Sequence, residues 1–166
     1  MSDSTRPSLS GRVASLHLHP SEPGATLTNV ETLEVIAEKG IAGNGRYFGR
    51  TSRSTGKPSR RQVSLIEREQ IAEHAAALGL ETIFPGVVRA NIETLGINLI
   101  GLIGKQVIIG GAILHFYEPR TPCQKMDAIC EGLRGLMQNS RQGVLAEVIR
   151  GGQISVGDSI RLLDQG

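Results

Sequence analysis

At 166 residues, with 39% hydrophobic and 20% charged side chains and a formal net charge of +2, the chain has the make-up of one globular domain. The charge is too small to point to nucleic acid or a membrane surface as partner. Two cysteines seven positions apart form no disulfide framework, CxxC redox pair or zinc knuckle. The N-terminus is polar and no apolar run approaches spanning length, so a cytoplasmic protein with both thiols free is expected.

Aromatic residues make up only 3% and Trp is absent, so the core has to be built from Ile, Leu, Val and Ala. The 21 glycines fall mostly at turn-like spots, which suggests tightly turned β structure. Residues 1–10, Ser-rich and with Pro7, read as a disordered terminus ahead of a single domain over 11–166. Val13 to Leu18 begin a strand, Pro20 to Gly24 make a loop, and Val30 to Ile36 suggest a second strand ending at Lys39-Gly40. Gly40-Ile41-Ala42-Gly43-Asn44-Gly45-Arg46-Tyr47 is a Gly-rich turn running into a basic loop. From Lys39 to Ile66 the sequence has seven Lys or Arg and no acid. Arg50 to Arg60 reads either as a solvated loop or as an anion-attracting lip, with Arg46 and Arg61 at its ordered edges.

Gln62 to Ile66 reads as a strand and Glu67 to Leu78 as a helix, with acids early and Gly79 as its stop. His74 on that helix reads as structural. Pro85-Gly86 is a turn, Arg89 to Ile92 resumes extended structure, and Leu95 to Leu99 turns again. Lys105–Ile109 and Ala112–Glu118, joined by Gly110-Gly111, form a β-hairpin. His115 reads as a packed strand residue, because no acid is spaced along the sequence to join it. Three short strands close the chain over 143–149, 153–156 and 159–163, with Asp158 closing a turn. Eight or nine short strands and two helices indicate a mainly β fold, a barrel with helices on its ends or outside.

The chemistry concentrates at Arg120-Thr121-Pro122-Cys123-Gln124. Thr121 is suited to an N-cap, Pro122 to the first helical position, and Gln124 completes a capping box. The Cys123 thiol is then expected in a first helical turn, where the positive end of the dipole with Arg120 and Lys125 favours thiolate. Met126, Ile129, Cys130, Leu133, Leu136 and Met137 follow at helical spacing, which claims Cys130 for a core stripe.

In order along the chain, Gly40-Ile41-Ala42-Gly43 with Arg46-Tyr47, Arg61-Gln62-Val63-Ser64-Leu65-Ile66, Arg89-Ala90-Asn91-Ile92 with Gly96-Ile97, Pro122-Cys123, and Gly143-Val144-Leu145 through Gly151-Gly152 to Val156-Gly157-Asp158 resemble the MOSC family. This family is named for the C-terminal domain of molybdenum cofactor sulfurases, and the likeness is to its small stand-alone bacterial members. The resemblance implies a β-barrel from about Val13 to the C-terminus. It also implies one Cys, here Cys123, that ligates molybdenum in a molybdopterin-type cofactor or carries sulfur as a persulfide. Soft thiolate ligation suits molybdenum, and a thiolate nucleophile suits persulfide transfer.

Carried onto this chain, Arg89 and Asn91 match a cofactor-facing motif. Arg46, Arg61 and Arg89 are forked donors for a phosphate, Asn91 for a pterin edge, and Gln62 and Thr121 supporting groups. The family commonly reads Gly-Asp-Arg where this chain has Gly43-Asn44-Gly45-Arg46. Three functions follow. One is a molybdenum-dependent reductase of small N-oxygenated compounds, fed by a separate electron-donor protein. The second is a sulfur carrier served by a pyridoxal-phosphate-dependent sulfurtransferase, with pyridoxal phosphate on the partner alone. The third is a non-catalytic module that holds the pterin.

Overall fold

The computed structural model of the chain describes residues 10–22, 24–121, 132, 135 and 142–163. Eleven strands run in chain order: β1 (Ser10–Leu18), β2 (Thr28–Val30), β3 (Thr32–Ile36), β4 (Gly40–Ile41), β5 (Val63–Glu67), β6 (Ile92–Leu95), β7 (Gln106–Ile109), β8 (Ala112–Pro119), β9 (Val144–Arg150), β10 (Gly152–Ser155) and β11 (Ser159–Leu162). One helix, α1 (Arg68–Ala77), and 3-10 turns at Gly45–Tyr47 and Ile100–Leu102 complete the described elements.

Seven strands close a barrel in the order β11-β7-β8-β9-β5-β6-β1, with β1 pairing back to β11. Closure leaves no unpaired edge in that ring. Every pair is antiparallel except β5–β6, which is parallel because α1 provides the crossover between them. β2 extends the sheet on the far half of β1, and β10, β3 and β4 form a small second sheet.

The interior follows from the two-residue period of the strands. Along β8, Ala112, Leu114 and Phe116 point inward and are fully buried, while Ile113, His115 and Tyr117 alternate with them and are half-buried. Ile, Leu, Val and Ala from all seven strands fill the barrel, and Phe116 is the one aromatic residue in that core among the described residues. A second cluster, centred on Ile66, Ile71, Ala75, Ile83, Val88 and Ala90, seats α1 against the outside of β5. Beneath it the fully buried Glu93 carboxylate accepts from Arg68 Nη1 at 2.7 Å and from Gly86 N–H at 2.8 Å. That pair of bonds anchors the loop between α1 and β6 and gives the buried charge its partners.

The mainly β barrel expected from the strand spacing is observed. The Gly110-Gly111 hairpin has the expected register, Ile109 opposite Ala112, and the last three strands follow as expected. Three local expectations are corrected. Ser10 is not part of a disordered end but pairs with Arg161. The strand expected from Val30 to Ile36 is two strands, because the chain leaves the barrel at Glu31 and pairs with β10 in the second sheet. Arg89 to Asn91 is not extended: Arg89 lies in the left-handed region at φ 67°, and β6 starts only at Ile92. The helix expected to carry Met126 to Met137 lies outside the described residues, Gly132 and Gly135 apart.

Candidate functional site

The Gly-rich turn meets the start of β5 through one buried amide network. Asn44 opens the 3-10 turn and is 1% exposed. Its Oδ1 accepts from His19 N–H at 2.8 Å and from Asn91 Nδ2 at 3.0 Å. The other hydrogen on Asn91 Nδ2 goes to His17 O at 3.1 Å. Asn91 Oδ1 accepts from both the N–H and the hydroxyl of Ser64, each at 3.1 Å, and the Ser64 hydroxyl accepts from Asn91 N–H at 3.0 Å. Asn91, 2% exposed, has therefore spent its whole side-chain inventory inside the protein. It laces β1, β5 and the Gly-rich turn together.

Glycine is required at position 45, where φ is 52° and a Cβ would press on the carbonyl oxygens of Pro20 and His19. The departure from the family's Gly-Asp-Arg finds its physical meaning here. Asn44 supplies one acceptor oxygen to two N–H donors, a duty that a carboxylate performs equally well.

Above this network lies a narrow polar crevice of about 10 Å³, room for roughly one water, lined by His19, Asn44, Tyr47, Arg61, Gln62 and Asn91 among others. Gln62 is fixed at both ends, Nε2 donating to Ser59 O at 2.8 Å and Oε1 accepting from Val148 N–H at 2.8 Å. Arg61 is exposed at the mouth, its guanidinium carbon 5.4 Å from the centroid of the Tyr47 ring. Tyr47 in turn meets His19 edge-on at 4.8 Å.

Three of the expected site residues, Arg61, Gln62 and Asn91, are thus brought together. Arg46 belongs to the same turn, and of it only the backbone is described. Arg89 stands apart from the crevice and donates from Nη1 to Ala25 O at 3.0 Å. Thr121 is exposed at the end of β8. Just before it the buried Arg120 donates its backbone N–H to Gly143 O at 2.9 Å and its Nη2 to Val88 O at 3.0 Å. Those bonds dock the strand end against the segment that leads to Asn91. Cys123, Gln124 and Cys130 lie outside the described residues.

Asn44, Ser64, His19 and Tyr47 were not singled out as site residues. Gly43-Asn44-Gly45 held a signal for Asn44, since a short amide between glycines is built for a turn with side-chain bonds. The expectation that no acid joins His115 is also corrected. Its Nδ1 lies 3.5 Å from Glu147 Oε1, supplied from across the sheet by β9.

A molybdopterin-type group, which carries a phosphate and is many times larger than a water, fits the described residues at the rim and not in the interior. Arg61 offers exposed forked donors there, whereas the Asn91 amide beneath is already fully bonded. Among the described residues no three His, Cys, Asp or Glu side chains come together to hold a metal ion, and no helix is long and apolar enough to cross a membrane.

No curated protein matches the chain in sequence. Among solved structures, the YuaD protein of Bacillus subtilis superposes with a TM-score of 0.75 at 20% identity, covering 92% of this chain and 95% of that one. YiiM of Escherichia coli gives a TM-score of 0.66 at 21% identity over 93% of this chain and 71% of that one. YiiM of Geobacillus stearothermophilus gives 0.69 at 16% identity, covering 94% and 76%. At such identities the likeness establishes the fold alone. The MOSC domain itself matches residues 31–161, through every strand from β3 to β10 and into β11. With that match spanning most of its length, the chain belongs to the MOSC domain family.

Proposed function

We propose that the chain binds a molybdenum–pterin cofactor across the mouth of the crevice, with Cys123 as the thiolate ligand, and reduces small N-oxygenated compounds using electrons from a separate protein. The observation that supports this reading is the convergence of three separate motifs on one polar mouth. Gly43 to Tyr47, Arg61 to Ser64 and Asn91 meet there, and Arg120 docks the segment before Cys123 against the same loop.

Each residue has a distinct part. Arg61 and Arg46 supply guanidinium donors for the phosphate, and a bidentate fork suits that group better than a point charge does. Asn91, Asn44 and Ser64 form the rigid floor that holds the two arginine-bearing segments in register. Gln62 ties the floor to β9. Thr121, two positions before Cys123, supports the start of the cysteine segment. Arg89 braces the loop after β1 through Ala25 and steadies the approach to Asn91. When bound, the cofactor supplies a metal centre able to change oxidation state. The chain supplies the thiolate, the anion site and the exclusion of water from the amide floor.

The test is reductase activity of protein from a cofactor-making host, given a chemical electron donor and an amidoxime. Turnover is expected in the parent and absent in Cys123→Ser. Arg61→Ala is expected to lose bound pterin, read by fluorescence of the released and oxidised cofactor, while remaining folded. Full pterin retention in Arg61→Ala would overturn the anion-site assignment. Metal-free protein with a removable sulfane sulfur on Cys123 would favour the sulfur-carrier reading.

A further inference from the structure

The Arg50–Arg60 segment is largely exposed but paired with itself. Thr51 bridges to Pro58, Ser52 N–H donates to Lys57 O at 2.8 Å, and Ser59 N–H donates to Arg50 O at 2.8 Å. Held this way, it stands against β9 and encloses a cleft of about 450 Å³. That lies within the range of roughly 300–1,000 Å³ seen for small-molecule sites. Pro58, Val148 and Ile149 give the cleft an apolar wall, and Lys57 and Arg60 stand on its lining with Glu38 and Glu147.

Arg60 is the organised feature. Its Nε donates to Glu147 Oε2 at 2.7 Å, and its guanidinium carbon lies 4.1 Å from the centroid of the Tyr117 ring. The other oxygen of Glu147 lies 3.5 Å from His115 Nδ1. One bond at Nε and an aromatic ring against the face leave both Nη groups as in-plane donors with a fixed direction. An arginine fixed at two points has already lost much of the rotamer freedom that binding would otherwise cost. Glu147 is matched by Arg60 and Glu38 by Lys57, so the lining carries no net formal charge, and an anion is drawn by the two Nη donors of Arg60 rather than by an excess of positive charge.

We infer that this cleft binds a small organic monocarboxylate, with the carboxylate on the two Nη groups of Arg60 and the apolar body against Pro58, Val148 and Ile149. The site adjoins the crevice through Gln62, which lines both, yet it needs neither Cys123 nor a cofactor.

The test is a titration of the full 15N-labelled chain with benzoate and, in parallel, with benzamide, which has the same shape without the charge. Benzoate is expected to shift the amide signals of Lys57, Val148 and Ile149 saturably. Benzamide should bind about tenfold more weakly, as expected for one charge-assisted pair. Arg60→Ala should weaken benzoate about tenfold, and Arg61→Ala should leave it unchanged. Four results would overturn the inference: no saturable shift with benzoate, equal binding of benzamide, benzoate affinity that survives Arg60→Ala, or benzoate affinity lost in Arg61→Ala. The last would move the anion to the crevice mouth. Arg60 is exposed and outside the core, so its variant is expected to fold, and an unchanged melting temperature would verify that it has.

Discussion

The crevice and the cleft lie on either side of Gln62 and handle polarity in opposite ways. In the crevice, the side-chain amide of Asn91 makes four bonds to the protein, one of them to Asn44 Oδ1, which also accepts from His19 N–H. A buried amide so fully satisfied stiffens three segments and has little left to offer a ligand. In the cleft, Arg60 is held by one carboxylate and one ring, and its side chain is otherwise exposed. The first arrangement is architecture and the second is binding chemistry. At the mouth of the crevice, the exposed Arg61 has the second character.

The largest effect that would break this contrast is at Asn91. Replacing it with Ala takes away the side-chain partner of His17 O and of the Ser64 N–H and hydroxyl in a buried place, and a loss of about 3 kcal/mol in denaturant unfolding is expected. A loss below about 1 kcal/mol would show the floor to be no structural unit. Next comes Gly45→Ala, which adds a Cβ against two carbonyl oxygens at φ 52° and should cost about 2 kcal/mol. Asn44→Asp, restoring the family's acid, keeps the acceptor and should change stability by no more than about 1 kcal/mol. A much larger loss would mean that the amide and the carboxylate are not equivalent there. Glu147→Gln, on the cleft side, breaks an ion pair whose side chains are 56% and 24% exposed, and should cost under about 1 kcal/mol.

The smallest effect is alkaline. Burial, with the Glu118 carboxylate adding to it, pushes the Tyr117 phenol up to about 12 from an ordinary value near 10. A group raised in the folded state gives stability that is full below pH ~10 and lost as pH rises through about 12. Tyr117→Phe should therefore flatten the fall in melting temperature across that window.

The barrel was legible because its signals are local. The Gly110-Gly111 loop between alternating apolar runs dictates a hairpin register without reference to the rest of the chain. β5, β9 and β10 were likewise read as short strands. What could not be read depends on partners distant in sequence. Nothing in Arg89-Ala90-Asn91 announces a left-handed Arg89, which belongs to a turn closed by Arg89 N–H on Gly86 O. Val30 to Ile36 carries one apolar pattern, and only pairing with β10 separates β3 from β2. Asn91 was picked out as facing a cofactor through the family resemblance, and an amide type alone does not reveal its partners. They lie 27 to 74 positions away, at Ser64, Asn44 and His17. Glu147 likewise reaches His115 and Arg60 only through the pairing of β8 with β9.

The measurement that tests the central claim most directly is the molybdenum content of the chain and of Cys123→Ser, both purified from a host that makes the cofactor. Near-stoichiometric molybdenum in the parent, lost in Cys123→Ser while the melting temperature holds, is the predicted result. Molybdenum absent from the parent, or retained in full without the Cys123 thiol, would contradict it.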